Sequence, residues 1–143
     1  MADVTLNPSQ VGLITEYKCQ LYLIENGFNV LLPIGNYQKY DLVIEKDGKF
    51  TRIQVKHASS QNEEESFIVR TKYDIRNVEK SQRMEHQKYT KEDTDYFMTE
   101  YNGQYYIFPV FDTMETKFWL KETRNSNQKK ASDFLAEKVL QNL

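Results

Sequence analysis

The 143-residue chain has one cysteine, two histidines, three prolines, five glycines and a single tryptophan, and several of these shortages remove a class of function. One thiol cannot close an internal disulfide, so no disulfide framework is expected, and Cys19 reads as a structural thiol of the first helix and not as a nucleophile. His57 and His86 are too few for a zinc constellation. No hydrophobic run reaches the length of a membrane span, and Met1-Ala2-Asp3-Val4-Thr5 carries neither a basic region nor an apolar run. The expectation is therefore an intracellular, cytoplasmic protein without a signal peptide and without a membrane partner. Positive charge is not in excess either: 19 Lys and Arg against 21 Asp and Glu leave −2, which argues mildly against a nucleic-acid partner. What is present is 39% hydrophobic and 13% aromatic content, enough for one core, and a single domain over 1–143 is expected, with no repeat or interdomain linker.

Two runs separated by a tight turn hold most of the chemistry. Tyr40-Asp41-Leu42-Val43-Ile44 and Arg52-Ile53-Gln54-Val55-Lys56 flank Asp47-Gly48, and an Asp-Gly pair between β-branched runs predicts a hairpin that pairs 40–46 with 49–57 as antiparallel strands. Side chains alternate along a strand. Leu42, Ile44, Ile53, Val55 and His57 are thus predicted to face the core, while Asp41, Gln54 and Lys56 share the other face. A carboxylate, an amide oxygen and an ammonium on one face are the minimum equipment for metal-assisted phosphodiester cleavage; a solvated polar hairpin face is the alternative.

The first segment, 9–26, reads as an amphipathic helix of about four to five turns, with Ser9 as N-cap after Pro8, Ile14, Tyr17, Leu21 and Ile24 at helical spacing, and Gly27 as its stop. Glu16 falls at the edge of the apolar arc, where a carboxylate either reaches the sheet or snorkels to solvent. Further on, 58–66 is polar and acidic and reads as a loop before a short strand around Phe67-Ile68-Val69. The polar stretch 74–89 reads as a helix lying on a partner or a mobile connector. Asn102-Gly103 predicts a second hairpin, a strand runs through 116–121, and 126–140 is predicted as a closing helix with Ala131, Phe134, Leu135 and Val139 inward.

In this order the elements resemble the αβββ opening of the PD-(D/E)-x-K nuclease superfamily: the helix with Glu16, then Gly27-Phe28-Asn29-Val30-Leu31-Leu32-Pro33, the Asp41 strand, and Gln54-Val55-Lys56. They are similar in particular to the intron-encoded homing endonuclease branch, in which glutamine replaces the acidic residue before x-Lys; archaeal Holliday-junction resolvases share the same opening. The likeness extends to Tyr89-Thr90-Lys91-Glu92-Asp93-Thr94-Asp95-Tyr96-Phe97, to Tyr106-Ile107-Phe108-Pro109-Val110 and to Asn127-Gln128 with Ala131, so it covers most of the chain. It implies an α/β fold with a restriction-endonuclease-like core, a mixed central β-sheet flanked by helices in αβββαβ order. Two positions depart from the motif: Tyr40 stands where the family has proline, which removes no chemistry, and Gln54 stands where it has an acidic residue. The second departure takes one negative charge from a metal site and weakens its hold on a hard cation. It keeps open a nuclease-fold nucleic-acid-binding or inhibitor protein as an alternative.

The resemblance implies a DNA endonuclease that uses Mg2+, with Mn2+ as an alternative ion. Asp41 would be the principal metal ligand, with Gln54 Oε1 and the Val55 backbone carbonyl beside it and Glu16 ligating directly or through water; Lys56 would orient or help deprotonate the attacking water. Cutting two strands, or a branched junction, calls for symmetric sites, so a homo-oligomer, dimer or tetramer, is expected.

Positive charge for DNA is present but segregated. Residues 1–69 hold six Lys and Arg against nine Asp and Glu, including Glu63-Glu64-Glu65, whereas 70–91 and 117–130 are each locally about +4. The first basic segment is predicted to hold phosphates through Arg70, Lys72, Arg76, Arg83 and Lys88, the second through Lys129 and Lys130; solvated helix faces are the plain alternative. Most of the ten tyrosines read as packed strand residues, and Tyr37 and Tyr40, just before Asp41, are the ones expected to touch substrate.

Overall fold

The first helix is capped by Asn7, not by the predicted Ser9, because proline belongs at the first helical position and the cap must precede it. The computed structural model of the protein describes residues 3–62, 65–77 and 83–143, with only the backbone of Arg76, Asn77 and Arg83; Glu63, Glu64 and Lys80 lie outside the described residues. Helix α1 runs over Pro8–Glu25, and Asn7 and Gln10 close a capping box through two reciprocal 2.9 Å hydrogen bonds. Its buried side chains are Thr15, Cys19 and Leu23. The stripe Ile14, Tyr17, Leu21 and Ile24 is exposed, so the helix is rotated relative to its sequence pattern. Glu16, beside Thr15, is carried to the sheet by that rotation.

Among the described residues eleven strands follow: β1 (Asn29–Leu31), β2 (Leu42–Lys46), β3 (Lys49–Val55), β4 (Ala58–Asn62), β5 (Ser66–Arg70), β6 (Lys72–Asn77), β7 (Arg83–Lys88), β8 (Tyr96–Tyr101), β9 (Gln104–Pro109), β10 (Glu115–Trp119) and β11 (Lys129–Lys130). A 3₁₀ turn, Ala131–Phe134, and α2 (Ala136–Gln141) end the chain. The Asp47-Gly48 turn forms as predicted, with φ of 54° and 80°, and pairs Lys46 with Lys49 and Leu42 with Ile53. Two positive φ values in succession are the signature of the hairpin turn whose twist matches its strands. Asn102 and Gly103 repeat it between β8 and β9, at 49° and 80°.

The central sheet has the order β1-β2-β3-β8-β9 and is mixed, since β3 and β8 run parallel and the other neighbours antiparallel. The αβββ opening is therefore present. Among the described residues, the crossover from β3 to β8 is made by strands β4 to β7, with no helix at the place where the αβββαβ order puts one. A second sheet, β11-β10-β5-β4, lies in the same molecule. Here the predicted loop 58–66 is corrected: most of it is β4, an edge strand that pairs antiparallel with β5 and exposes Ser59, Ser60, Gln61 and Asn62. Edge strands are held by backbone pairing and tolerate polar side chains, which is why this one looks like a loop. The stretch 74–89 is corrected as well. Its described part is an antiparallel ribbon of β6 and β7 that joins neither larger sheet.

The closing helix over 126–140 does not form as one element. Asn125 Oδ1 accepts the Asn127 N–H at 3.0 Å, a local turn that competes with helix, and Lys129–Lys130 then pair with β10. An isolated bridge between Leu135 and Tyr106 separates the 3₁₀ turn from α2. Ala131 is nevertheless buried, and Phe134, Leu135 and Val139 pack on the core as predicted.

Both faces of the central sheet are covered. Leu42, Ile44, Ile53, Val55, Met98 and Ile107 pack under Cys19 and Leu23 of α1 and Ala136 of α2. The opposite face packs Phe97 and Phe108 against Phe67, Val69 and Phe118 of the second sheet, with ring centres 4.8 Å apart for Phe108 and Phe118 and 5.3 Å for Phe67 and Phe118. Among the described residues no helix is long and apolar enough to cross a membrane.

Candidate active site

Asp41, one residue ahead of β2, is anchored twice to β3. Its N–H donates to the Ile53 carbonyl and its Oδ2 accepts the Val55 N–H, each at 2.9 Å. The carboxylate thus extends the strand pairing by one rung, which commits one oxygen to the fold and leaves Oδ1 for other work. Gln54 points away from the α1 face, as alternation predicts, but it is not wet: it is 9% exposed. Its Nε2 lies 3.4 Å from the Val55 carbonyl oxygen, a weak hydrogen bond that sets the amide beside that carbonyl.

Lys56 follows directly. Its ammonium donates to the Lys72 carbonyl at 3.1 Å and stands 4.9 Å from the centre of the Tyr89 ring. His57, predicted to pack inward, is exposed instead; the strand ends at Val55, so parity no longer fixes its side chain, and Nδ1 sits 3.3 Å from Thr15 Oγ1 on α1.

Burial and charge act on these groups together. Burial pushes the Asp41 carboxyl above its usual range, opposed by the Val55 N–H and the Lys56 ammonium. Glu16 is raised by burial first and by the negative charge of Asp41 second, which puts the two carboxylates within electrostatic reach. Lys56 is lowered by burial, opposed by Asp41 and Asp74. Two carboxylates repelling one another inside a cleft, with an amide and a peptide carbonyl beside them, make an all-oxygen donor set, the chemistry that hard divalent cations favour. Among the described residues no three His, Cys, Asp or Glu side chains cluster for a metal. A cation here would draw its further ligands from the neutral oxygens of Gln54 and Val55, and the set fits one on those terms.

Glu16, Tyr40, Asp41 and Gln54 line one cleft of about 520 Å³, together with Gln20, Lys39, Tyr73 and Tyr89. The last four were not foreseen. Lys39 stands two residues before Asp41, a signal that could have found it; Tyr89 opens the Tyr89-Thr90-Lys91 segment that carries part of the resemblance, but its place in the cleft depends on the ribbon that brings it here. Lys39 rests 3.9 Å from the Tyr73 ring centre. The segment after Tyr89 is tied to β3 by Arg52, which donates to the carbonyls of Glu92 at 2.6 Å and Lys91 at 3.0 Å and pairs with Asp95 at 3.0 Å.

The remaining predicted residues lie elsewhere. Tyr37 is exposed and is not part of the cleft lining. Arg70 is exposed at the end of β5. Lys72 and Lys88 face each other at the root of the ribbon, Lys88 paired with Asp112 at 3.0 Å. Arg76 and Arg83 oppose Met84 and Asn77 in the ribbon backbone, and their side chains are outside the described residues. Lys129 and Lys130 lie on β11 of the second sheet, Lys129 over the Phe111 ring at 4.5 Å.

No curated protein matches the sequence. Among solved structures the chain is similar to a bacterial homing endonuclease, I-Ssp6803I, with a TM-score of 0.72 and 20% identity over 94% of this chain and 93% of that one, a likeness of fold. The family model for the PD-(D/E)XK endonucleases matches residues 6–138. The αβββ opening, the mixed sheet and the cleft at Asp41 are thus those of a chain that belongs to the PD-(D/E)XK endonuclease family.

Proposed function

We propose that this chain is a Mg2+-dependent DNA endonuclease of the homing type, working at the cleft lined by Glu16, Asp41 and Gln54, with Lys56 held against Tyr89 of the cleft wall. The observation that carries this reading is the single cleft that Glu16, Asp41 and Gln54 line together, with the half-buried Lys56 two residues after Gln54. Asp41 Oδ1, Gln54 Oε1, the Val55 carbonyl and Glu16 hold Mg2+, or Mn2+ in its place. When bound, the ion supplies a Lewis acid for the phosphoryl oxygens and lowers the pKa of coordinated water. Lys56 orients the attacking water and sets fixed positive charge against the charge that builds on the phosphoryl oxygens. Water adds at phosphorus as one P–O ester bond breaks, leaving a phosphate monoester and a hydroxyl.

DNA is held by Tyr40 near the scissile bond, by the exposed Tyr37 outside the cleft, and by the cations of the ribbon side, Arg70, Lys72, Arg76, Arg83 and Lys88, with Lys129 and Lys130 as a second phosphate contact. The working form is a homo-oligomer. The support for it is the exposed apolar face of α1 outside the cleft, where Leu21 is 57% and Ile24 56% accessible. A second copy of the chain covers that face, and Leu21→Glu is expected to lower the mass measured by light scattering. Unchanged mass would remove this assembly.

Gln54 favours one other reading, a nucleic-acid-binding protein with weak chemistry, because a neutral amide replaces a carboxylate at the metal. One experiment separates them: supercoiled plasmid and a synthetic four-way junction are incubated with wild type, Asp41→Ala and Lys56→Ala, with and without Mg2+. Nicking by wild type in Mg2+ alone is expected. Equal background from all three proteins would leave binding as the function, and cutting of the junction alone would make the substrate a branched one.

A further inference from the structure

Both contacts that hold the Lys56 ammonium come from the root of the β6–β7 ribbon. The acceptor at 3.1 Å is the carbonyl of Lys72, the first residue of β6, and the ring at 4.9 Å belongs to Tyr89, the residue after β7. Lys72 and Lys88 are register partners, so the two contacts sit at the same end of the ribbon, the one where the chain enters and leaves it. A cation within about 6 Å of an aromatic ring centre is drawn to its face, and a peptide carbonyl accepts one of the three ammonium hydrogens, leaving two.

The ring is itself fixed. Tyr89 is 5% exposed, and Tyr73 and Phe97 meet it edge-on at 5.0 Å and 5.1 Å, at 74° and 86° to its plane. Arg52 ties down the segment that follows, through Lys91, Glu92 and Asp95. Lys56 therefore reaches from the end of β3 onto a rigid seat built by a different part of the chain. Lysine is a point charge on a flexible four-carbon stem, and without such a seat its ammonium would sample many positions outside the cleft.

We propose that Tyr89, a residue of the cleft wall, is a positioning residue for Lys56: its ring face and the Lys72 carbonyl clamp the ammonium behind that wall, in the place from which the reaction draws on its charge. The proposal rests on the nuclease reading for its catalytic consequence and on geometry alone for the clamp. The clamp needs the ring and not the hydroxyl, which separates it from proton transfer by tyrosine.

The test uses the full chain carrying Tyr89→Phe, Tyr89→Leu or Tyr89→Met, each also combined with Lys56→Ala. The rate of nicking of supercoiled plasmid in saturating Mg2+ is expected to stay within about 2-fold of wild type for phenylalanine. It should fall roughly 10- to 100-fold in kcat for leucine and methionine, with KM for plasmid within about 3-fold. In the Lys56→Ala background the same changes should cost less than about 2-fold, since the group they position is gone. Losses that multiply in that background, or a loss for phenylalanine equal to that for leucine, would overturn the proposal. Two ring-less variants are used so that one unfolded protein does not decide the outcome, and melting curves show which are folded.

A second readout does not depend on cleavage. In protein with carbon-13 lysine, the Lys56 ε-methylene protons, assigned by their loss in Lys56→Ala, are expected to be shifted upfield by the ring in wild type and Tyr89→Phe. They should return to the ordinary lysine position in Tyr89→Leu. Unshifted wild-type protons would overturn the clamp. A wild type that does not nick would overturn the nuclease reading and with it the catalytic role, while the ring shift would still decide whether the clamp exists.

Discussion

Asp41 serves the fold and the proposed chemistry through different oxygens, and two substitutions separate them. In Asp41→Asn an oxygen remains to accept the Val55 N–H, so the anchor of the β2 end to β3 survives. The change also removes a charge that burial disfavours. Stability should stay within about 1 kcal/mol of wild type, a shift of at most roughly 4 °C in Tm for a chain of this size. Asp41→Ala leaves that N–H without an acceptor, which costs about 1–3 kcal/mol and lowers Tm by roughly 4–12 °C. Both variants lose the proposed ligand. Several kcal/mol of transition-state stabilisation, at about 1.36 kcal/mol per tenfold, put the loss of nicking at about 10³-fold or more.

The same pair reads out the ion and the pH. Mg2+ at about 100 times its Kd should stabilise wild type by about 2.7 kcal/mol and neither variant. In EDTA the raised pKa of Asp41 means that its contribution to stability is present below the usual carboxylate range and is lost as pH rises through the raised value. Wild type should therefore lose stability relative to Asp41→Asn as pH rises above the ordinary carboxylate range and through the raised value. The assays are circular-dichroism melts with EDTA or Mg2+ and single-turnover nicking of plasmid. Nicking by Asp41→Asn within about 10-fold of wild type would refute the ligand role, and an Asp41→Ala melt that overlays wild type would refute the anchor.

Three further outcomes follow from the same geometry. Lys56→Arg should bind plasmid DNA normally in a gel-shift assay yet nick it at least about 10-fold more slowly, because a planar, always-charged fork does not replace a compact ammonium. Arg52→Ala removes the donors to two carbonyls and to Asp95; both side chains of that pair are about a third exposed, so the discounted cost is about 1–2 kcal/mol, measured by urea unfolding. Burial raises Asp95, but the side-chain and backbone N–H groups of Arg52 outweigh it and hold the carboxyl low, so this stability is lost as pH falls through the lowered value, and Arg52→Ala should flatten the acid limb. Cys19 is pushed well above the usual thiol range by burial first and by Glu100, Glu16 and Asp41 after it, so a thiol reagent at pH 8 should label the protein only once urea unfolds it.

The parts of the site that share a short stretch of chain were legible in the sequence. Asp47-Gly48 sets a turn, the turn sets the register, and the register places Asp41 against Ile53 and Val55 with no help from distant residues. What was illegible is held by backbone pairing or by remote parts of the chain. Strand β4 buries only Ala58 and keeps its place through main-chain bonds to β5, so its polar side chains carry no strand period. The ribbon fails in the same way, being solvated on much of its surface, and with it went Tyr73 and Tyr89, which reach the cleft only because β6 and β7 pair.

Helix α1 shows why a period alone misplaces a site. Apolar residues at helical spacing normally mark the inward stripe, yet here the inward arc is Thr15, Cys19 and Leu23, and the stripe with Tyr17, Leu21 and Ile24 faces out. Thr15 and Cys19 are the small buried side chains of α1, and Glu16, next to Thr15, lines the cleft together with Asp41. The outward stripe is then apolar surface that the single chain does not bury. One rotation of α1 thus links the two proposals. If a second copy covers Leu21 and Ile24, assembly holds α1 on the sheet and with it Glu16 in the cleft beside Asp41, so Leu21→Glu should weaken Mg2+ stabilisation as well as assembly. A variant that becomes monomeric yet responds to Mg2+ like wild type would separate them.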